Sequence, residues 1–290
     1  MKSNILLKIS LFFTAIVIFS CSKDNDSNSN SSLTKTEIST NAKIDALSND
    51  VADIVDDQFF EQNPSGKSSA TFASILPSCA SKTTVLSPIV NPTTWTRTID
   101  FGTTGCPMPN GAILKGKIIL SGSIVTNSSQ YVISYTFDNF YHNEYLVQGN
   151  RTVTRSVQST TYATAAHPVH VMDINMTITS PTGEVYTRVG TRTRECIEGF
   201  DTNLVWFDNV YVITGSWATT FPNGNVHTNT ISATNPIRIR MNCDYRIVRG
   251  TVNVVKNTHT AVLDYGDGTC DNIATIAIDG GAAVSYTFGN

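Results

Sequence analysis

From Cys79 to the C-terminus, hydrophobic and polar residues alternate with a period of two. The pattern is clearest at 131–138 (YVISYTFD), 172–179 (MDINMTIT) and 237–242 (IRIRMN). Such alternation predicts strands with one buried side and one solvent-facing side, and turn-forming Pro, Gly, Asn and Asp residues separate them. About twelve strands and no crossover helix indicate an all-β domain over 79–290. We expect either an antiparallel sandwich or a curved meander of long hairpins.

One segment upstream changes to a helical period. Apolar residues recur at helical spacing between positions 40 and 62 (Ile44, Leu47, Val51, Ile54 and Phe59). Thr40 or Asn41 is the expected N-cap, and the sequence NPSG at 63–66 is expected to end the helix. We expect the apolar stripe to dock on the β-domain or on a partner. The acidic residues mostly occupy the other faces, which predicts a solvated surface there (Asp45, Asp50, Asp53, Asp56 and Asp57).

The N-terminus has the pattern of an export signal. Lys2 and Lys8 precede an apolar run from 9 to 19, which is too short to span a membrane as a mature helix. The run ends in Ser20 followed by Cys21, which resembles the lipobox of bacterial lipoproteins. The sequence therefore predicts a signal peptide over 1–20 and lipidation of Cys21, although a secretory signal with an incidental Cys remains the alternative.

A polar tether is predicted after Cys21, over residues 21–39, followed by the helix and a connecting loop over 40–78. The stretch KDND at 23–26 resembles an acidic signal that directs lipoproteins to the cell surface. Residues 22–78 carry four Lys and nine acidic residues, whereas residues 79–290 are balanced in charge. The absence of a basic excess excludes nucleic acid as an expected partner. We expect an outer-membrane protein, exposed at the cell surface and anchored through lipid on Cys21.

A short motif occurs twice in the β-domain and suggests how the cysteines pair. IDFGTTGC at 99–106 matches LDYGDGTC at 263–270. Cys106 follows Cys79 by the same interval that separates Cys270 from Cys243, and an exported chain meets oxidising conditions. The shared spacing and context select the bridges 79–106 and 243–270 from the possible pairings. Cys196 is left over, and a buried free thiol is favoured over a nucleophile.

Several of these features occur together in one known group of proteins. The lipobox, the acidic helix with DDQF at 56–59, the repeated IDFG/LDYG turn, FDN-[FV]-Y at 137–141 and 207–211, TRTRE at 191–195 and YGDGTCDN at 265–272 resemble a family of uncharacterised Bacteroidota surface lipoproteins. The resemblance covers nearly the whole chain after the signal. It implies location and fold, and it implies no activity.

Two sets of residues raise the possibility of a metal site. Asp264, Asp267 and Asp271 crowd one loop, but their spacing is not that of a calcium loop, which needs oxygen ligands at alternating positions. The related loop at 99–106 keeps only the first Asp, so we interpret both as turns closed by a disulfide. His167 and His170 have no nearby third ligand in the sequence, which favours a turn over zinc. We therefore expect no cofactor.

The remaining candidates concern ligand binding. Arg188, Arg192 and Arg194 share one strand face, which could receive an anionic glycan or a partner's acids, or lie on a solvated sheet face paired with neighbouring carboxylates. Trp95 and Trp217 are possible sugar platforms. The sequence favours a non-enzymatic binding or structural module of the envelope, with a glycan or an envelope protein as partner. The alternative is a glycan-active hydrolase or glycan-binding component that uses such Trp residues and Glu184, Glu195 or Glu198.

Overall fold

The computed structural model describes residues 32–62, 74–124, 130–202, 205 and 207–287. The predicted signal peptide, Cys21, most of the predicted tether and the predicted helix stop at 63–66 lie outside these ranges. Within them, the chain forms one helix and fifteen strands, and all strands belong to a single sheet. The all-β class predicted from the alternating pattern is therefore confirmed.

The helix, α1, spans Lys35–Gln62 and begins five residues before the predicted start. Its N-cap is Thr34, not Thr40 or Asn41. The Thr34 hydroxyl accepts a hydrogen bond from the Glu37 amide at 3.1 Å, and the Glu37 carboxylate accepts one from the Thr34 amide at 2.9 Å. This reciprocal capping box satisfies two backbone donors that a free helix end would leave open. The first turn therefore forms within residues predicted to belong to a tether.

The strands follow in chain order. They are β1 (Ser81–Ser87), β2 (Thr94–Asp100), β3 (Cys106–Pro107), β4 (Ile113–Ser123), β5 (Gln130–His142), β6 (Tyr145–Gln158), β7 (His167–Thr179), β8 (Val185–Glu198), β9 (Val210–Thr220), β10 (Val226–Ile231), β11 (Ile237–Arg240), β12 (Ile247–Lys256), β13 (His259–Asp267), β14 (Ile273–Ile278) and β15 (Val284–Thr287).

The sheet is an antiparallel meander, so the meander is confirmed over the sandwich. The main path runs β1-β2-β4-β5-β6-β7-β8-β9-β10-β12-β13-β14-β15, with β3 beside β4 and β11 between β9 and β12. One face of the sheet wraps around α1. Apolar residues of α1 from Ile44 to Val55 pack with β2 to β8, and Leu33, Ile38 and Ala42 pack with β8 to β14. The docking of the helix on the β-domain is thereby confirmed, and α1 forms part of the core.

Glycines allow the long central strands to bend around the helix. Gly190 in β8 has φ 153° and Gly215 in β9 has φ 134°. A Cβ at Gly190 would lie 2.4 Å from the Trp217 Cα, and one at Gly215 would lie 2.3 Å from the Thr191 carbonyl oxygen. Neither position accommodates a side chain, because the backbones of β8 and β9 approach each other too closely.

The repeated motif forms two equivalent turns. Asp100 accepts a hydrogen bond from the Gly102 amide at 2.8 Å, and Asp264 accepts one from the Gly266 amide at 2.9 Å. Both glycines have positive φ, and the aromatic residues between them and the Asp are buried. Disulfides close both segments, Cys79–Cys106 and Cys243–Cys270, with Cα–Cα distances of 5.8 and 5.4 Å. The predicted pairing and the interpretation as turns are confirmed.

Candidate functional site

The concave face of the sheet carries cations that meet the acidic side of α1. Arg188 and Arg192 both contact the Asp45 carboxylate, the latter at 2.6 Å from Nη2 to Oδ1. Arg194 lies 2.5 Å from Asp53, measured from Nη2 to Oδ1. All five side chains are buried. The prediction that Arg188, Arg192 and Arg194 share one strand face is correct, but that face points into the core and its acidic partners come from the helix.

The contacts continue along the whole helix. At its start, the Lys256 ammonium lies 3.0 Å from the Glu37 carboxylate. In the middle, Arg151 Nη2 donates to the Ser48 hydroxyl at 2.8 Å. Near its end, Arg97 donates to the Gln58 carbonyl oxygen at 2.9 Å. The sheet therefore supplies Lys and Arg donors to carboxylate, hydroxyl or carbonyl oxygens at the start, in the middle and near the end of α1.

The prediction of a solvated acidic face on α1 is therefore wrong. Asp45, Asp53, Asp56 and Asp57 are all buried, because the sheet encloses the helix on most sides. Buried carboxylates are tolerated only when they are paired and hydrogen-bonded. Asp57 meets this requirement at least in part through uncharged donors, since it accepts hydrogen bonds from the Ser74 hydroxyl at 2.6 Å and the Ile75 amide at 3.2 Å.

Asp56 contacts three side chains of the sheet. Its carboxylate lies 2.9 Å from Arg155 Nη1, 3.3 Å from His170 Nδ1 and 3.6 Å from Arg194 Nη1. Burial raises the pKa of Asp56, but the charges of His170, Arg155 and Arg194 outweigh burial and hold that pKa well below its usual range. Burial also lowers the pKa of Arg188 to about 10. These groups stabilise each other and are not open to a ligand.

The other residues singled out in the sequence are also in structural positions. Trp95 and Trp217 are 2% and 1% exposed, and Trp217 lies under the Arg192 guanidinium at 3.8 Å from the ring centroid. Neither ring can stack on a ligand from outside, so their interpretation as sugar platforms is not supported. His167 and His170 lie in β7 and not in a turn, and they bind different acids, Glu195 and Asp56.

The three glutamates proposed for glycan hydrolysis do not converge. Glu195 is buried and accepts hydrogen bonds from the Thr160 hydroxyl at 2.6 Å and from His167 Nε2 at 3.1 Å. Glu184 precedes β8, whereas Glu195 and Glu198 lie at its other end, about 30 Å or more away along the strand. Glu195 is buried and Glu198 is exposed, so these two carboxylates do not share an open surface. Glycosidases place two carboxylates within about 10 Å of each other. These residues therefore do not form such a pair.

The acidic loop at 264–271 consists of successive turns. Asp264, Asp267 and Asp271 each accept a hydrogen bond from the amide two residues later, at 2.9, 3.2 and 3.0 Å. Among the described residues, no three His, Cys, Asp or Glu side chains lie close enough together to hold a metal ion. Cys196 is buried and unpaired, and burial raises the pKa of its thiol to about 12, so it is a poor nucleophile.

A cleft of about 480 Å³ opens beside α1, on the side that the sheet leaves uncovered. One wall is a stripe of the helix that includes Ser39, Lys43, Ala46, Asp50 and Asp53. The other walls come from three regions of the sheet: the β5–β6 turn with its neighbour Asn110, the β11–β12 connection and strand β15. They contribute Asn110, His142, Asn143, Tyr145, Ile239, Asp244, Tyr245, Arg246, Ile247, Tyr286 and Thr287.

A carboxylate–imidazole pair lies in the wall of this cleft. Asp50 Oδ2 is 2.8 Å from His142 Nε2, and Asp50 Oδ1 accepts a hydrogen bond from Asn110 at 2.8 Å. The Asp50 side chain keeps 20% of its surface exposed, unlike the other carboxylates of the helix core. Next to it, Arg246 donates to Asp53 at 2.6 Å and extends the ionic network to the edge of the cleft.

The cleft also exposes aromatic and charged groups. Tyr145, Tyr245 and Tyr286 come from three different regions of the sheet and are half-buried. Burial raises the pKa of Tyr286, so its hydroxyl stays protonated at neutral pH. Lys43 and Asp244 are exposed, and neither has an ion-pair partner among the residues that the structure describes. The sequence indicates the helix residues of this cleft only as a cap candidate, an apolar stripe and acids, and it indicates none of the three tyrosines as part of a site.

Comparison with known proteins yields no relative: the chain matches no protein-family model, no curated protein and no solved structure. Across the described part of the chain, no helix has the length and apolar composition to cross a bilayer. The resemblance to surface lipoproteins therefore remains an expectation.

Proposed function

We propose that this chain is a lipid-anchored protein of the cell envelope that binds a small polar ligand in the helix cleft and does not transform it. The observation that carries the proposal is the cleft of about 480 Å³, which exposes tyrosines and fixed hydrogen-bonding groups along one stripe of α1. Its volume falls within the range of about 300–1,000 Å³ that is typical of small-molecule sites.

The anchor is proposed on the residues of the N-terminus. Lys2 and Lys8, the apolar run at 9–19 and Cys21 after Ser20 form the pattern of a lipoprotein signal. Several acyl chains on one cysteine hold a protein stably at a membrane, whereas one chain binds only marginally. Residues 79–290 have no excess of basic residues, so their charge does not favour nucleic-acid binding.

The ion pairs of Asp53 support binding without turnover. Acid–base catalysis requires a carboxylate or imidazole that can exchange a proton with a substrate. Asp53 is buried and lies within 2.6 Å of two guanidinium groups, so its carboxylate oxygens are engaged in ion pairs and do not face a substrate. Side chains that are held rigidly by ion pairs or hydrogen bonds present donors and acceptors to a ligand in a fixed geometry.

A hydrolase is the second candidate, and the Asp50–His142 pair is the observation that favours it. A carboxylate that orients an imidazole is the arrangement that activates a water or a hydroxyl nucleophile in many hydrolases. Both residues line the cleft. This candidate places the reaction at the cleft instead of at Glu184, Glu195 or Glu198.

Cys21→Ser tests the anchor. We expect the wild-type chain to fractionate with membranes and to carry an acyl label, and the variant to lose both. A variant that still fractionates with membranes would show that the anchor is not on Cys21. Ser20→Ala keeps a small residue before the cysteine and serves as the matched control.

Blocking the cleft tests the binding function. Ala46→Trp places a large side chain in the cleft from a half-buried position on α1, and Lys35→Trp makes the same substitution at an exposed position outside it. Separate glycan, peptide and metabolite pools are presented to the purified chain, and binding and product formation are both measured. We expect saturable binding without products, lost only in Ala46→Trp. Product formation that Asp50→Asn abolishes would instead establish the hydrolase, and the absence of binding from every pool would refute both.

A further inference from the structure

We infer that the ligand of the helix cleft is a neutral oligosaccharide. This inference rests on the proposed function, because it names the ligand class of the same site. It draws on three properties of the cleft: the kind of aromatic surface that it exposes, the balance of hydrogen-bond donors and acceptors on its walls, and its balance of charge.

The aromatic surface is supplied by tyrosines alone. Tyr145 at the start of β6, Tyr245 before β12 and Tyr286 in β15 are separate in sequence, yet they converge on one cleft. A tyrosine presents an apolar ring face and a polar hydroxyl at its edge. A sugar ring has the matching form, with C–H groups on its faces and hydroxyl groups around its edge. Ile44 and Leu47 add apolar surface between the polar groups.

The polar groups on the walls are held in place and serve both roles in hydrogen bonding. Asn49 accepts a hydrogen bond from Arg192 at 3.3 Å, and Asn143 accepts one from the Ile113 amide at 2.8 Å. Each amide oxygen is therefore occupied, and each amide nitrogen remains as a donor. The Asp50 carboxylate is held by His142 and Asn110 and keeps lone pairs as an acceptor. A hydroxyl group both donates and accepts, so a polyhydroxyl ligand satisfies both sets.

The charges in the cleft favour a neutral ligand. Asp50, Asp53 and Asp244 are its acids, and Lys43 and Arg246 are its cations, with Arg246 already committed to Asp53. A phosphate or a uronate would meet three carboxylates and one uncommitted cation. A strongly cationic ligand would approach Lys43 and Arg246. The two uncommitted charges, Lys43 and Asp244, offset each other, so a ligand of either sign meets repulsion as well as attraction, whereas a neutral ligand meets neither.

The test is a binding screen on the full chain, held in a sugar-free detergent so that detergent head groups do not compete. The probes are cellotetraose, maltotetraose, xylotetraose and N-acetylchitotetraose, a wider array of neutral glycans, tetragalacturonate as the acidic probe, and a pool of tetrapeptides. Calorimetry measures affinity. We expect at least one neutral oligosaccharide to bind saturably, and tetragalacturonate to bind more weakly or not at all.

The variants assign that binding to the tyrosines. We expect Tyr145→Ala and Tyr286→Ala each to weaken binding by about tenfold, as the loss of an aromatic contact predicts, while Tyr145→Phe retains most of the affinity. Tyr141→Ala is the matched control, because Tyr141 lies in β5 beside His142 and does not line the cleft. Ala46→Trp blocks the cleft from the helix side and gives an independent readout if a tyrosine variant does not fold.

The outcomes separate this inference from the proposed function. Peptides or tetragalacturonate that bind in place of neutral glycans, with loss of binding in Ala46→Trp, would overturn the oligosaccharide and leave a binding cleft. Glycan binding that neither the tyrosine variants nor Ala46→Trp affects would overturn the assignment to this cleft. A screen in which no probe binds would overturn the oligosaccharide, and the proposed function would fall only if the metabolite pool also gave no binding.

Discussion

Arg155 of β6 donates to Asp56 of α1 at 2.9 Å, although 99 positions separate the two residues in the chain. Both side chains are buried, and the Arg155 guanidinium also lies 4.0 Å from the centroid of the Phe59 ring. The contact therefore holds the end of the helix against the middle of the sheet. Contacts of the same kind recur along α1, in which the helix supplies oxygen acceptors and the sheet supplies Lys or Arg side chains.

Removal of the Asp56 charge should destabilise the protein strongly. We expect Asp56→Asn to lower the free energy of unfolding by about 3–5 kcal/mol, because Arg155, His170 and Arg194 would lose their buried partner. Denaturant unfolding measures the change. Asp173→Asn is the control, since Asp173 is exposed on β7, and it should change stability by less than about 0.5 kcal/mol. Equal effects of the two variants would contradict a structural role for the network.

Stability should fall as the pH decreases from neutral. Burial lowers the pKa of His227 to about 4, below the value of about 6.5 in an unfolded chain. The unfolded state therefore binds a proton more readily between these values, so the His227 contribution is complete above pH 6.5 and is lost as the pH falls towards 4. We expect the free energy of unfolding to depend less on pH across this window in His227→Gln. A pH dependence identical to wild type would exclude His227 as the titrating group.

Asp56 should affect stability at lower pH. Its pKa lies below that of an unfolded Asp, about 3.9, so its stabilising contribution is present above that value and is lost as the pH falls further. We expect the acid transition of Asp56→Asn to be shallower below pH 4 than that of wild type. Unfolding curves at pH 2.5, 3.5 and 4.5 measure this, and Asp173→Asn again serves as the reference.

Each disulfide should contribute to stability through its turn. The replacement of Cys79 and Cys106 by Ser opens a loop with a sequence separation of 27, and we expect the free energy of unfolding to fall by about 3–4 kcal/mol. The pair Cys243 and Cys270 closes a loop of the same separation and should give a similar loss. Peptide mapping without reduction checks the pairing, and a bridge that includes Cys196 would contradict it.

Cys196 should be unreactive in the folded protein. It is buried, and its pKa of about 12 leaves almost no thiolate at pH 8. In the Cys21→Ser chain, which removes the other unbridged cysteine, we expect no labelling by a thiol reagent under native conditions and labelling of one cysteine after unfolding without reductant. Native labelling at a rate comparable to that of a free thiol would show that this part of β8 opens.

The strands, the helix and the disulfides could be predicted because each has a local signature. The alternation of apolar and polar residues at 172–179 indicates that one side of a strand is buried, and it does so independently of what packs against that side. The 79–106 and 243–270 bridges follow from a repeated motif with equal spacing. The predicted start of α1 is five residues too late, although Thr34 and Glu37 have the spacing of a capping box. The apolar repeat that defines the rest of the helix begins only at Ile44.

The environment of the acidic helix could not be predicted from its periodicity. Asp53 and Asp56 lie on polar faces of α1, and a polar face normally meets water. The signal that was available is the complementary arginine stripe, Arg188, Arg192 and Arg194, in a chain with few charges. The stripe and the helix acids lie far apart in the sequence, so only the folded structure shows that they neutralise each other.

The sequence by itself determined an antiparallel β-protein with one helix and two turns that are closed by disulfides. The hydrophobic period, the turn residues and the cysteine spacing could show this because each acts over a short distance along the chain. The tertiary structure decided that the sheet wraps around the helix, that the helix acids are buried against arginines, and that a cleft remains on one side. These features depend on which faces meet after folding. Tyr145, Tyr245 and Tyr286 share a cleft only because the curved sheet brings the β5–β6 turn, the β11–β12 connection and β15 beside α1.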